Sequence, residues 1–588
     1  MKKIVPIVLI ISFALASCKQ MVKTDTQKPP NVVIILADDQ GWGDLSCNGN
    51  ININTPNLDK LSESGVSFDN FYVSPVCSPT RAEFLTGRYA VRGGVYSTSQ
   101  GGERLDLDEQ TIAEVFKAHG YRTAAYGKWH NGMQYPYHPN GRGFDDFYGY
   151  CSGHWGNYFS PMLEHNGELV KGKGYLTDDL TNKALEFINA NQSNPFFLYL
   201  PLNTPHSPMQ VPDSLWERFK DIELAEHRYK DQEKPEHTKA ALAMGENIDW
   251  NVGRVMQKLE KLKLEENTIL IYFSDNGPNG YRYNGGMKGK KGQVDEGGVK
   301  TPFFMQWKGK IKPGYHIKQI AGAIDIFPTL MKMAGIDVQT KNTLDGISLE
   351  PLILREESVF KDRIIVNYWK GRVALRNQQY RLDEHNKLYD MVNDPMQLND
   401  ISKKAPEVRD ELIAYKEKWE NEVLTELPEA DTRTFSIGHP NWTYNQLPAR
   451  DAIYTGNIKR SSIWPNCSFL TNWTNEEDSI VWNIDLLEDG KFEAIVYYTC
   501  SEENIGSQFE LQFNGSSLTS SVNTAHNPPI VGKDKDRYPR DESYTKEFKP
   551  LKMGEINLKK GKGTLSLKAT NIKASEVMDF RLLMLKRI

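Results

Sequence analysis

The chain has 588 residues, of which 39% are hydrophobic and 25% are charged, and its formal net charge is −5. Its 12 Trp, 27 Tyr and 24 Phe provide enough apolar surface to exclude a disordered chain. The slight negative charge argues against a broad nucleic-acid-binding surface, so no nucleic-acid partner is expected. Six cysteines are too few for a disulfide scaffold, and a mean hydropathy of −0.56 excludes a multi-pass membrane protein.

The first residues of the chain predict an export signal. Two lysines precede the apolar run Ile4–Ala16, which is too short for a helix that spans a hydrocarbon core of about 30 Å. This pattern favours a cleaved signal over residues 1–17. Leu15-Ala16-Ser17-Cys18 resembles a bacterial lipobox, so Cys18 is the expected lipidation site, with a plain secretory signal as the alternative. Residues 18–30 are a polar tether, and we expect an exported protein that is lipid-anchored to a bacterial membrane, facing the periplasm or the cell surface.

Residues 31–360 alternate between buried strands and helices. An apolar stripe between Leu242 and Leu262 has helical spacing. Near-continuous apolar runs predict strands that are buried on both faces, over Asn31–Ala37, Thr123–Tyr126, Phe196–Leu200 and Thr268–Phe273. This alternation predicts an α/β fold with a mostly parallel sheet flanked by helices.

The pattern changes after residue 360. Short strands and a charged helix over Glu407–Glu422 predict a small antiparallel α+β subdomain at residues 361–430. Residues 431–448 are expected to form a linker. From residue 449 to 588 apolar residues alternate with period two, as at Trp482, Ile484 and Leu486, which predicts a β-sandwich.

Two polar pairs follow predicted strands directly. Asp38 and Asp39 come after the first strand, and Asp275 and Asn276 come after Thr268–Phe273. Ligands of open α/β sheets bind at the carboxyl ends of the strands, and oxygen donors alone suit Ca²⁺ or Mg²⁺ better than zinc. Either pair alone is typical of a solvated turn or a helix cap. Both at equivalent strand ends favour a metal site.

Cationic and nucleophilic residues recur near the same predicted strand ends. In Cys77-Ser78-Pro79-Thr80-Arg81 the proline suits a first helical turn, and residues four apart share a helix face. The other candidates are Lys128, His130, His206 and the lysines of a glycine-rich loop, Lys288, Lys290 and Lys291. Each alone is typical of a structural residue, but together they suit recognition of a compact anion and proton transfer.

These motifs resemble, in order, those of the type I sulfatases of the alkaline phosphatase superfamily, over roughly residues 31–399. The resemblance implies an alkaline-phosphatase-like sheet and the hydrolysis of sulfate esters. The matching segments are Asp38-Asp39-Gln40-Gly41, Cys77-Ser78-Pro79-Thr80-Arg81, Leu85-Thr86-Gly87-Arg88, Gly127-Lys128-Trp129-His130, Thr204-Pro205-His206, Ser274-Asp275-Asn276-Gly277, Glu296-Gly297-Gly298, Asp345-Gly346-Ile347-Ser348-Leu349 and Leu388-Tyr389-Asp390.

The resemblance implies that a maturing enzyme oxidises Cys77 to formylglycine. One hydroxyl of the hydrated aldehyde would attack sulfur and displace the alcohol of the substrate. Deprotonation of the other hydroxyl would re-form the carbonyl and expel sulfate by C–O cleavage, an exit that a serine or cysteine ester lacks. Modified Cys77 would also ligate Ca²⁺, preferred over Mg²⁺, together with Asp38, Asp39, Asp275 and Asn276.

The resemblance also implies roles for the remaining site residues. Arg81 would hold the hydrated aldehyde, Lys128 would bind a sulfate oxygen and His130 would be the base for sulfate release. His206, assisted by Lys291, would stabilise or protonate the leaving oxygen and contact substrate. Lys291 is chosen because it lies five residues before Glu296, as in similar sequences, and Lys288 and Lys290 are the alternatives.

The substrate is less determined than the reaction. The loop Tyr150–Tyr158 is rich in groups that bind sugars, and His154 within it is a candidate substrate-binding residue. We expect an exo-acting sulfatase of glycans or oligosaccharides, and a sulfated galactose or N-acetylgalactosamine is the first candidate. The alternatives are a phosphoester or phosphonate hydrolase and a non-catalytic glycan-binding lipoprotein. The sandwich is expected to shield or shape the pocket, more than to bind glycan independently.

Overall fold

The computed structural model describes residues 28–355 and 360–588. The predicted signal at residues 1–17, the lipidation site Cys18 and the tether up to residue 27 lie outside the described residues, so they stay predictions. Within the described ranges, no helix combines the length and the apolar character that crossing a membrane requires.

A ten-stranded sheet forms the centre of the N-terminal body. Its five middle strands run parallel, and antiparallel pairs extend both sides. In spatial order the strands are Tyr315–Ile317, Val66–Phe68, Phe303–Gln306, Thr268–Ser274, Asn31–Asp38, Phe196–Pro205, Arg122–Lys128, Asp146–Tyr150, Met162–His165 and Glu168–Lys171. The predicted α/β fold with a mostly parallel sheet is confirmed.

Helices cover both faces of this sheet because successive side chains of a strand point to opposite faces. Val32, Ile34 and Leu36 pack into one apolar cluster, and Val33 and Ile35 pack into another. The first strand is therefore apolar throughout. The α-helices of the described chain are Pro56–Ser64, Cys77–Thr86, Ile112–Ala118, Leu176–Ala190, Asp213–Phe219, Pro235–Lys261, Glu296–Val299, Ile326–Met333, Glu350–Ile353 and Pro406–Val423.

Two smaller sheets accompany the large one. The first contains Phe71–Tyr72, Lys300–Thr301 and Ala321–Gly322. The second is antiparallel, packs with the helix Pro406–Val423 around Leu412 and Trp419, and contains Ile365–Trp369, Arg372–Arg376, Tyr380–Leu382 and Leu388–Asp390. This is the antiparallel α+β unit that the sequence predicts after residue 360.

The C-terminal region is a β-sandwich with its own apolar core. One sheet contains Phe435–Ile437, Ile453–Tyr454, Ser479–Leu486, Gln508–Phe513, Ser516–Ser521 and Gly561–Asn571. The other contains Tyr444–Pro448, Lys459–Arg460, Leu470–Thr471, Gly490–Thr499, Lys549–Leu558 and Asp579–Arg587. A separate short ladder joins Ile530–Val531 and Thr545–Lys546.

The structure corrects the expected linker at residues 431–448. Phe435–Ile437 pairs with Ile484–Leu486, and Tyr444–Pro448 pairs with Leu582–Lys586. Ile437 and Leu447 are fully buried in the sandwich core. The sandwich therefore begins before residue 449, and the two short strands were missed because each has only three to five residues and little room for an alternating pattern.

Candidate active site

Two strand ends meet at the carboxyl edge of the sheet and bring four predicted ligands together. The strands Asn31–Asp38 and Thr268–Ser274 are parallel neighbours. The Asp39 amide donates to Asp275 Oδ1 at 3.1 Å, and Asn276 Nδ2 donates to Asp39 Oδ1 at 2.8 Å. All four side chains, including that of Asp38, are fully buried. The structure therefore places the predicted metal ligands at one point.

Cys77 reaches this point from the first turn of the helix Cys77–Thr86. Its Sγ and carboxylate oxygens of Asp38 and Asp275 lie within 4.8 Å of one another. Cys77 is 3% exposed, and burial raises the pKa of its thiol. An unmodified Cys77 is therefore a poor nucleophile in this pocket, because the thiolate is the reactive form.

Arg81 lies one helical turn beyond Cys77 and is fully buried. Its Nε and Nη2 donate to Asp275 Oδ2 at 3.2 and 2.8 Å, and Nη1 donates to the Lys128 carbonyl at 2.6 Å. A guanidinium that reaches one carboxylate through two nitrogens is fixed in orientation. Arg81 thus ties the helix to two strand ends.

Two lysines balance the remaining carboxylates. Lys128 Nζ lies 2.8 Å from Asp38 Oδ2, and Lys291 Nζ lies 2.7 Å from Asp39 Oδ1. The alternatives to Lys291 point elsewhere, since Lys288 pairs with Asp295 at 3.0 Å and Lys290 lies over the Tyr281 ring. The structure thus brings Lys291, and not its two neighbours, to the site.

Burial and these ion pairs together set the charge states of the carboxylates. Burial, followed by the repulsion of Asp275 and Asp39, raises the pKa of Asp38 well above its ordinary value despite Lys128. Burial opposes ionisation of Asp39 as well, but Lys291 and then His206 hold its pKa below the ordinary value. In the protein alone, burial therefore favours the protonated form of Asp38, while Lys291 favours the ionised form of Asp39.

His130 is held in a left-handed backbone conformation, with φ of +65°, as is Asp39 with φ of +69°. Such conformations are uncommon for residues with a Cβ and cluster at functional sites. Lys128 ends its strand and His130 follows in this turn, so the chain is not extended from Lys128 through His130.

The tautomer of His130 follows from the hydrogen bond that its Nε2 makes with a backbone carbonyl. His130 Nε2 lies 2.8 Å from the Thr98 carbonyl, and a carbonyl only accepts, so Nε2 carries the proton. Nδ1 is buried and has no hydrogen-bond partner among the described residues. Burial and then Lys128 lower the pKa of His130 well below its ordinary value. The neutral imidazole therefore has a lone pair on Nδ1 that can accept a proton.

The rings of His206 and His154 stack with their centroids 5.8 Å apart, and His206 lies beside Asp39. His206 Nε2 lies 3.6 Å from Asp39 Oδ2, and its Nδ1 lies 2.7 Å from the Ser207 carbonyl. Nδ1 therefore carries the proton in the neutral ring. Burial and then Lys291 lower the pKa of His206 to about 3, so His206 must gain a proton on Nε2 before it can donate one to a leaving group.

The donor set fits a hard divalent cation. Three carboxylates converge, and Asn276 Oδ1 is buried with no hydrogen-bond partner in the described chain. An orphaned buried amide oxygen is costly unless a cation or water satisfies it. Ca²⁺ and Mg²⁺ prefer such oxygen donors. Asp38, Asp39, Asp275 and Asn276 could therefore hold the ion.

The structure adds site residues that the sequence analysis missed. Thr80 Oγ1 donates to the Asp275 carbonyl at 2.6 Å, and Arg282 Nη2 donates to the Asp39 carbonyl at 3.0 Å. Thr80 lies inside the Cys77–Arg81 motif, which could have suggested it. Arg282 pairs with Asp44 across 238 residues, and no local pattern reports such a pair.

Comparisons with known proteins show which family the chain resembles. A family model described as Sulfatase matches residues 30–336, and one described as N-sulphoglucosamine sulphohydrolase, C-terminal, matches residues 290–422. N-acetylgalactosamine-6-sulfatase of Mus musculus is 31% identical over 386 residues, which cover 59% of this chain and 70% of that protein. Arylsulfatase A of Homo sapiens is 33% identical over 398 residues, which cover 60% and 74%.

Solved structures share the fold. Ps i-CgsB in complex with k-i-k-neocarrahexaose is 32% identical, with a TM-score of 0.61, and the match covers 67% of this chain and 93% of that one. A phosphonate monoester hydrolase of Agrobacterium radiobacter is 21% identical, with a TM-score of 0.51 over 69% of this chain and 97% of that one. The latter likeness shows the fold alone. The matched regions end before the C-terminal sandwich in both family models.

Proposed function

The chain belongs to the sulfatase family, and on this premise we propose that it removes sulfate from sulfated carbohydrates with a formylglycine at residue 77 and a bound Ca²⁺. The observation that carries this proposal is the convergence of Cys77, Asp38 and Asp275 within 4.8 Å. A non-catalytic glycan-binding protein would have no need of a buried nucleophile position, three carboxylates and three cations in one pocket.

The charge of the pocket supports an anionic substrate. The three carboxylates already have three cationic partners. A bound divalent cation would supply two further positive charges and polarise the oxygens of a sulfate group. Ca²⁺ is favoured over Mg²⁺ because four protein ligands and residue 77 suit its larger coordination sphere, whereas Mg²⁺ usually retains several waters.

The residues divide the proposed reaction between them. Arg81, fixed by Asp275, holds the hydrated aldehyde at residue 77, and Lys128 binds a sulfate oxygen. His130 accepts a proton on Nδ1 as sulfate is released, since Nε2 is engaged with Thr98. His206 and Lys291 stabilise the leaving oxygen on the other side of Asp39. General acid–base groups of this kind contribute about 10²–10⁴-fold to rate.

The substrate is proposed to be a sulfated sugar at the end of a glycan or oligosaccharide. His154 is a candidate contact, because its Nε2 is buried beside His206 and has no partner among the described residues. Two comparisons support a carbohydrate: a similar sulfatase is named for N-acetylgalactosamine 6-sulfate, and a similar structure holds neocarrahexaose.

A panel of substrates tests this proposal. Purified protein, matured with a formylglycine-generating enzyme, is incubated with defined sulfated mono- and oligosaccharides of galactose and N-acetylgalactosamine, and desulfation is followed by chromatography. Nitrophenyl sulfate and nitrophenyl phosphate are assayed in parallel. We expect sulfate release from at least one saccharide. Turnover of the phosphate ester alone would replace the proposal with a phosphoester hydrolase.

The proposed maturation and anchoring have separate tests. Mass spectrometry of the peptide that contains residue 77 should find an aldehyde after co-expression with the maturing enzyme and a thiol without it. Cys18→Ala should move the protein from the membrane fraction to the soluble exported fraction. Unchanged membrane association of this variant would remove the lipid anchor from the proposal and leave the catalytic part intact.

A further inference from the structure

A loop of the C-terminal sandwich enters the catalytic body next to His130. Asn466 lies in the connection between the strands Lys459–Arg460 and Leu470–Thr471. Its Nδ2 donates to the Thr98 carbonyl at 3.3 Å. The same carbonyl accepts the Nε2 proton of His130 at 2.8 Å. One carbonyl oxygen thus joins a sandwich side chain to a proposed catalytic histidine.

Asn466 also holds the loop on the other side of His130. The Gly153 amide donates to Asn466 Oδ1 at 3.1 Å, and Ser152 Oγ donates to the Asn466 carbonyl at 3.2 Å. Gly153 is packed so closely that a Cβ there would lie 2.5 Å from His130 Nε2 and 2.6 Å from Asn466 Nδ2. The residue after Gly153 is His154, the candidate substrate contact.

A buried ion pair also fixes the position of the Asn466 side chain. Arg450 Nη1 donates to Asn466 Oδ1 at 3.0 Å, and Arg450 Nη2 donates to Glu103 Oε1 at 2.8 Å. Arg450 and Glu103 are each 1% exposed and Asn466 is 7% exposed. Glu103 Oε2 in turn accepts from the Gly101 amide at 2.9 Å. A buried network of hydrogen bonds between segments that are distant in the chain orders the segments that it joins.

We propose that the sandwich completes the catalytic centre and that Asn466 is a positioning residue for His130. By fixing the Thr98 carbonyl and the Gly153 amide, Asn466 keeps the proton of His130 on Nε2 and its lone pair on Nδ1. The assignment of His130 as the base rests on the proposed function. The contacts around Asn466 are independent of the proposed function, so the order of these segments can be tested separately from sulfatase activity.

Two substitutions disturb the contact from opposite sides. Asn466→Ala removes the hydrogen bonds to Thr98 and Gly153, and Gly153→Ala inserts a methyl group between His130 and Asn466. On the sulfated saccharide that the wild type hydrolyses, we expect each to lower kcat about tenfold to a hundredfold, as misplacement of a catalytic group does, with KM little changed. The double variant should be far from additive, because both changes break one contact.

Asn504→Ala is the matched control. Asn504 is a buried asparagine of the same sandwich, and its side chain bonds Ser575, Glu576 and Ser501 within that sandwich. Its loss should lower the melting temperature and leave kcat unchanged. Wild-type kcat in Asn466→Ala, an effect confined to KM, or an equal loss of kcat in Asn504→Ala would overturn the positioning role.

Hydrogen exchange supplies a readout that does not require activity. In Asn466→Ala, backbone amides of residues 96–104 and 150–158 should exchange faster than in the wild type, and in Asn504→Ala they should not. Unchanged exchange in both segments would overturn the inference even if the protein is an active sulfatase. If the wild type releases no sulfate from any substrate, the proposed function fails, and the exchange data still decide whether the sandwich orders these segments.

Discussion

At the scale of single residues, Lys291 is the proposed catalytic lysine among the three lysines of one glycine-rich loop. Its Nζ contacts both Asp39 oxygens, at 2.7 and 2.8 Å. Lys291→Ala removes the positive charge closest to Asp39 and to the proposed leaving group. We expect kcat/KM for sulfate release to fall about a hundredfold, which is typical of losing one preorganised electrostatic contact, as measured by initial rates.

Lys288→Ala is the control for this change. Lys288 is bound to Asp295 at 3.0 Å, with Asp383 nearby. Its loss should change kcat/KM by no more than about threefold, because this pair is partly solvent-screened. Equal effects of the two substitutions would show that the loop, rather than the Lys291 ammonium, matters for the reaction.

A second residue-scale prediction concerns the metal. Asp38, Asp39 and Asp275 are buried together, so removing the proposed cation leaves only protein cations to offset them. Chelation should lower the melting temperature and abolish activity, and Ca²⁺ should restore both in a concentration-dependent way, since a ligand that binds only the folded state stabilises it. Differential scanning fluorimetry measures the shift. Recovery with Mg²⁺ but not with Ca²⁺ would contradict the proposed ion.

Asp275→Ala tests whether this response comes from the proposed site. The variant loses one ligand and the partner of Arg81. Its melting temperature should be lower than that of the wild type and should no longer respond to Ca²⁺. An undiminished Ca²⁺ response would place the stabilising ion elsewhere.

The sequence was informative for residues that lie in short motifs at strand ends, because strand order and sheet geometry force them together. Cys77, Lys128, Asp275 and their partners were all brought to one point. It was uninformative for Arg282, Thr98 and Asn466, whose roles depend on contacts across long stretches of chain. It selected Lys291 by its spacing from Glu296, and the ion pairs of the loop show that Lys291 reaches Asp39 while Lys288 pairs with Asp295.

At the scale of elements, the helix Cys77–Thr86 is unusual because every one of its residues is buried. A helix without an exposed face shows no apolar stripe, so the motif and Pro79 predicted it better than periodicity did. Glu83 is enclosed with it. Ser74 Oγ donates to Glu83 Oε1 at 2.9 Å, and burial raises the pKa of Glu83 from 4.5 to about 8.

Glu83 predicts a pH dependence of stability. Between pH 4.5 and about 8 the folded protein keeps a proton on Glu83 that the unfolded chain loses, so stability falls as pH rises through this window. Glu83→Gln mimics the protonated form and should be spared this loss. The melting temperature of the variant should therefore match the wild type near pH 4.5 and exceed it increasingly towards pH 8.

Glu63 is exposed, and Glu63→Gln is the control for the removal of one negative charge from the chain. A melting-temperature difference between Glu83→Gln and wild type that stays constant from pH 4.5 to 8 would show that Glu83 is ionised in the folded state. Thermal scans in matched buffers across this range decide between the two outcomes.

Strand prediction succeeded where burial on both faces produced long apolar runs, as in Asn31–Asp38, and where one face alternated, as in Ser479–Leu486. It failed for Phe435–Ile437 and Tyr444–Pro448. Such short strands are defined by pairing partners that are far away in the chain, and no local pattern contains that information.

At the scale of the whole molecule, the sandwich has a separate core but shares buried polar contacts with the catalytic body. Gln134 Nε2 donates to Asp451 Oδ2 at 3.2 Å, and Gln446 Nε2 donates to Glu164 Oε2 at 2.7 Å. A domain with its own core can fold alone, whereas the shared contacts couple it to the region around His130. The sequence predicted the sandwich but neither its start nor this coupling.

The start of the sandwich can be tested with two fragments. A fragment of residues 431–588 contains both early strands, and a fragment of residues 449–588 lacks them. Ile437 and Leu447, which lie in those strands, are fully buried.

Losing two such side chains and their strand pairing should cost several kcal/mol, which corresponds to a decrease in melting temperature of about 10 °C or more for a domain of this size. We therefore expect a cooperative transition by circular dichroism for the longer fragment, and a much lower or absent transition for the shorter one. Equal melting temperatures would mean that the two strands add no stability to the sandwich and that residues 431–448 act as a linker.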